Sequence, residues 1–82
     1  MKEIISRLTD SGFYHMANEE LADAYYPEIK RRFPEVIMVK EGIHQHFILT
    51  QDRKDQIKRI LTLKRKNLIA ELKGVNSALK QF

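Results

Sequence analysis

Apolar positions follow helical spacing near both ends of the chain and a β-like spacing in the middle. In Lys2–Thr9, Ile4, Ile5 and Leu8 fall on one side of a helix. Asp10-Ser11-Gly12 stops it, because glycine adopts the left-handed backbone that closes helix C-termini. Phe13, Tyr14 and Met16 are expected in a short connection that fills core. Asn18 suits an N-cap, and Glu19 and Glu20 suit the positive end of a helix dipole. Leu21, Ala22, Ala24 and Tyr25 make that helix's apolar side. Pro27 disfavours helical geometry at Tyr26. Either one helix kinks there, or a second begins with Pro27 in its first turn. The next segment ends at Pro34; Ile29 and Phe33 share a face, which turns Lys30, Arg31 and Arg32 outward.

Val36–Val39 and Ile43–Thr50 are β-prone, with Glu41-Gly42 between them as the loop of a two-stranded hairpin over about 35–49. In that register one face holds Val36, Met38, Lys40, Ile43, Gln45, Phe47 and Leu49. The other holds Ile37, Val39, His44, His46 and Ile48. Both faces are partly apolar, so helices are expected on at least one. A long helix over about 52–81 follows, capped by Thr50 or Asp52 and about 45 Å long if unbroken. Gly74 is its weak point, since an interior glycine costs roughly 1 kcal/mol.

On that helix Ile57, Ile60, Leu61, Leu68, Leu72, Val75, Leu79 and Phe82 form one apolar stripe. Ile57, Ile60 and Leu61 are expected to pack on the body. Leu68, Leu72, Val75, Leu79 and Phe82 exceed what so small a body covers. They read as a surface for a partner helix, most simply a second copy of the chain. Opposite them, Arg59, Lys66, Lys73 and Lys80 recur every seven residues as a basic line with steps of about 10 Å.

Charge sharpens this division. The 82 residues carry a net +4, but residues 1–50 have six Lys/Arg against eight Asp/Glu, and residues 51–82 have nine against three. A body of −2 therefore joins a C-terminal third of +6, an asymmetry that suits an anionic partner. The partner is expected to be a nucleic acid (DNA or RNA) or an acidic protein surface. No apolar run approaches the roughly 20 residues of a membrane span. Met1–Ile5 is too short for a signal-peptide core, which places the chain in the cytoplasm as an expectation.

Catalytic chemistry finds little support. The absence of cysteine removes disulfides, thiol nucleophiles and thiolate zinc sites. The three glycines form no phosphate-binding motif, so no cofactor is expected. His44 and His46 point the same way from one strand, but a metal site needs a third ligand that the sequence does not place. Tyr25, Tyr26 and Phe33 lie near Lys30–Arg32; Tyr25 is expected buried, and Tyr26 is the better candidate to stack an exposed base.

The expectation is one small α+β domain spanning 1–82: short N-terminal helices, a hairpin, and a C-terminal helix that extends from the body. The element order is shared with winged helix-turn-helix domains, where Lys30, Arg31 and Arg32 would face the major groove. Against it, Tyr25-Tyr26-Pro27 leaves no room for the usual turn, and the tip Lys40-Glu41-Gly42 is hardly basic. The expected function is a non-enzymatic regulator or adaptor that binds a nucleic acid backbone through Lys30, Arg31, Arg32 and the basic line. The alternative is a protein-interaction module, of the kind of a small phage or plasmid inhibitor, acting through the apolar seam.

Overall fold

Asn18 caps the second helix as its sequence requires, its Oδ1 accepting from the Leu21 N–H at 3.0 Å. That helix is one of four in the computed structural model, which describes residues 1–67 and 72–82. In chain order the elements are α1 (Lys2–Ser11), β1 (Phe13–Met16), α2 (Glu19–Arg32), β2 (Ile37–Glu41), β3 (His44–Ile48), α3 (Gln51–Asn67) and α4 (Leu72–Leu79). The fold is a small α+β arrangement of four helices and a three-stranded antiparallel sheet of order β1-β3-β2.

The sheet is covered on both faces. One face carries Phe47 and Val36, which pack with Ile4 and Leu8 of α1 and Ala22 and Ile29 of α2. The other carries Val39 and Ile48, which pack with Leu61 of α3 and Val75 and Ala78 of α4. The chain is thus a three-layer sandwich, α1 and α2 on one side and α3 and α4 on the other. Alternation along the strands explains why each face has its own apolar set.

Gly12 ends α1 as expected, with φ 72° and its N–H donating to the Leu8 carbonyl at 3.0 Å. It also lies tightly against the start of α3: a Cβ there would stand 2.5 Å from Thr50 Cγ2. Thr50 caps α3, its Oγ1 accepting from the Arg53 N–H at 3.3 Å. α2 runs unbroken through Pro27, so the segment beginning at Pro27 is not a separate helix. Tyr26 is not a stacking platform either; it packs in the first core with its ring 6.2 Å from that of Phe47.

Phe13–Met16 is a strand rather than a connection, pairing Tyr14 with Phe47 and His15 with His46. The hairpin turns at Gly42-Ile43, one position later than the sequence suggests, because Glu41 pairs with His44. Gly42 has φ 58° and Ile43 has no positive φ, the requirement of a type II′ turn. The changed register moves each pairing by two residues, and because side chains alternate with period two, both faces keep their composition.

The largest departure concerns the C-terminal third. The single helix over about 52–81 is two helices, α3 and α4, and Gly74 lies inside α4 rather than at a break. The end of the chain returns to the beginning of α3: Gln81 and Phe82 line one depression with Gln51, Lys54, Asp55 and Lys58. The two helices are therefore antiparallel. A continuous 45 Å helix would exceed the 36 Å longest dimension of the molecule and carry Val75 and Ala78 away from Val39 and Ile48. Gly74 instead faces the hairpin turn, where a Cβ would lie 3.4 Å from the Gly42 nitrogen.

The return also closes a sheet edge. The Gln81 side chain accepts from the Lys40 N–H at 2.8 Å and donates to the Lys40 carbonyl at 2.9 Å, as a neighbouring strand would. Gln81→Ala is expected to lower stability by about 1 kcal/mol and to speed hydrogen exchange at the Lys40 amide. Unchanged exchange there would show that the edge is protected by other means.

Candidate functional site

Exposed positive charge is sorted by the fold. Arg31 and Arg32 both meet Glu28 within α2, Arg7 meets Glu3, and Lys40 meets Asp23 at 3.0 Å and Glu19 at 3.4 Å. Lys30 donates to the Val36 carbonyl at 3.0 Å, and Lys54 to the Glu35 carbonyl at 3.2 Å. Arg53 Nε donates to the Ser11 carbonyl at 2.9 Å, which fastens α3 to the end of α1. By contrast Lys58, Arg59, Arg65 and Lys80 are exposed, and among the described residues no carboxylate lies within ion-pair distance of them.

The residues singled out for nucleic acid do not form one surface. Lys30, Arg31 and Arg32 end α2 in one outer layer, whereas Arg59 stands on α3 in the opposite layer. The heptad line Arg59, Lys66, Lys73, Lys80 is broken between α3 and the antiparallel α4, because it needs a single helix. The side chains of Lys66 and Lys73 lie outside the described residues. The apolar seam is also corrected. Val75 is fully buried with Val39, Ile48 and Leu61, and Leu79 and Phe82 are partly buried against that cluster, so they complete the chain's own core. Leu68 and the Leu72 side chain lie outside the described residues. Ile60, expected in the core, is 40% exposed, and Leu63 is 53% exposed on the same helix.

A second constellation occupies the sheet face shared with α3 and α4. The Leu49 N–H donates to the Gly12 carbonyl, which sets the phase of the β1–β3 ladder. His15 and His46 then form a non-hydrogen-bonded pair, where side chains stand closest. Their ring centroids are 5.2 Å apart. His44, one pleat along β3, brings its Nδ1 to 2.9 Å from His15 Nε2. His46 Nε2 lies 3.1 Å from Glu41 Oε1, and Lys64 Nζ of α3 donates to Glu41 Oε2 at 3.1 Å.

Glu41 is buried and His46 nearly so, whereas His15 and His44 are exposed. Burial pushes the Glu41 carboxyl up, but the hydrogen bonds from Lys64 and His46 outweigh it and hold its pKa below the ordinary value. Burial lowers the pKa of His46 against the pull of Glu41. Burial and the neighbouring His44 lower that of His15. With His46 Nε2 directed at the carboxylate, its buried Nδ1 has no hydrogen-bond partner.

The sequence placed His44 and His46 together but missed His15, which needs β1, and Glu41, read as a loop residue. The signal for Glu41 was its parity with His44 and His46 across the turn. Among the described residues no three His, Asp or Glu side chains converge as a metal cage would, and no helix is long and apolar enough to cross a membrane. No protein-family model, curated protein or solved structure matches this chain.

Proposed function

We propose that this chain is a non-enzymatic binding protein, a small regulator or adaptor, that docks on a nucleic acid backbone through the outer side of α3. The observation that carries the reading is the charge sorting on that helix. Lys58, Arg59 and Arg65 project to solvent unpaired among the described residues, while most other cations are engaged by carboxylates or carbonyls. Lys58 and Arg65 are two turns apart, about 10 Å along the axis. Such charges displace counterions from phosphates without reading bases. A winged-helix reading would instead direct α2 at the bases. The continuity of α2 through Pro27 and the engagement of Arg31 and Arg32 by Glu28 favour α3.

Anisotropy of labelled duplex DNA and single-stranded RNA, titrated with protein at rising salt, tests this. Three phosphate contacts on duplex give a slope of log K against log salt near −3. The triple change Lys58→Ala, Arg59→Ala, Arg65→Ala is expected to weaken binding at least about tenfold and flatten the slope. Binding confined to very low salt, or unaltered by the triple change, would sink the reading. The exposure of Ile60 and Leu63 beside these charges favours one alternative, an acidic protein surface with an apolar centre. Loss of partner binding in Ile60→Asp/Leu63→Asp, with nucleic acid binding absent in the parent, would select it.

A further inference from the structure

We propose that His15 and His44 form a binding site for a divalent transition-metal ion, held by two imidazole nitrogens and completed by water. The two side chains come from different strands, and their facing nitrogens, His15 Nε2 and His44 Nδ1, are 2.9 Å apart with ring centroids separated by 5.0 Å. Two nitrogens that each bind one ion at about 2.0–2.1 Å in adjacent coordination positions stand roughly 2.9–3.4 Å apart. The separation of the pair therefore already lies in the chelating range, and turning the two exposed rings until both lone pairs meet at one point completes the site. Both residues are exposed, so an ion reaches them and water fills the remaining positions.

The surroundings select the class of ion. Imidazole suits zinc, copper and nickel. Calcium and magnesium need several oxygen ligands, and the neighbouring carboxylate, Glu41, is already engaged by Lys64 and His46. The opposite charges of Glu41 and Lys64 meet at 3.1 Å, which leaves the pair no strong net field to repel a cation. His46 stands beside His15 but does not converge with the pair on one point, so the site has two protein ligands and not three. In the metal-free chain one imidazole N–H bridges the two nitrogens. Metal binding takes a lone pair from each ring, and the bridging proton moves by exchange with water to the other nitrogen of its own imidazole, a tautomer change that leaves both rings neutral.

The site is open, which predicts binding in the micromolar range rather than a permanently held ion. The test is titration of zinc or nickel chloride into untagged, chelator-stripped protein, followed by calorimetry and by the imidazole proton resonances. The expected result is one saturable site, with His15 and His44 resonances moving together. His15→Gln and His44→Gln are each expected to weaken binding at least tenfold, and the double variant to abolish it. Both positions are exposed, so above pH 7, where the parent's imidazoles are neutral, the variants should keep its circular dichroism and denaturation midpoint. Absence of saturable binding at millimolar zinc or nickel would overturn the proposal. So would binding that survives in the folded double variant.

Discussion

Val75→Asp is expected to unfold the chain or strip α4 from the sheet at neutral pH. Val75 is fully buried between Val39 and Ile48 of the sheet and Leu61 of α3. Aspartate there forfeits about 1.5–3 kcal/mol of apolar burial. It also buries a carboxylate with no cation in its cluster, an effective penalty of several kcal/mol more. Their sum is comparable with the whole stability of a small domain, about 5–15 kcal/mol. The milder Val75→Ala should cost about 2 kcal/mol, from two lost carbon groups plus a cavity. Urea denaturation followed by circular dichroism, together with the mass in solution, checks both. A partner seam at Val75 makes the opposite forecast: an unchanged midpoint with a smaller assembly. That outcome would mean α4 does not pack as described.

Acid is expected to destabilise the protein well before ordinary carboxylates protonate. His15 and His46 have pKa values below the ordinary 6.5, both chiefly through burial. Glu41 is held below 4.5 because Lys64 and His46 outweigh its burial. In each case the unfolded chain binds more protons than the folded one over the interval between the two values, so stability rises with pH. The histidine contribution is complete above 6.5 and is lost as pH falls through the folded values. The Glu41 contribution is complete above 4.5 and is lost below that in the same way. Five charged or titratable groups meet here from four elements: His15 of β1, Glu41 of β2, His44 and His46 of β3, and Lys64 of α3 opposite them.

Denaturation midpoints in chelator-containing buffer should therefore fall in two stages, the first beginning near pH 6.5. His46→Gln, which cannot gain a charge, should shrink that first stage even if it lowers the midpoint throughout. A midpoint that stays level from about pH 7.5 to pH 5 would show that these imidazoles are not held neutral by the fold.

Local chemistry was legible wherever neighbours in sequence decide the outcome. Gly12 ends α1, Asn18 starts α2, and Thr50 starts α3, each through bonds spanning a few residues. The two strand faces were legible as well. Their composition survived a mistaken turn position because a shift of two residues preserves parity. β1 was not legible: four residues, Phe13–Met16, are too few to show a period, and they become a strand only by pairing with β3.

The C-terminal third shows the boundary most clearly. By itself the sequence determined that Gln51–Asn67 and Leu72–Leu79 are helical, and that this third of the chain is rich in both basic and apolar residues. It did not determine where the apolar side goes. The two-heptad spacing of Leu61 and Val75 is equally compatible with one long helix seeking a partner and with two helices closing on a sheet. The sheet decided between them. Its second face presents Val39 and Ile48, and α3 and α4 together bury them. The same folding gathered Glu41, His15, His44 and His46, which lie on three strands. Their proximity depends on strand order and register, set by long-range pairing and burial and absent from any local run of residues.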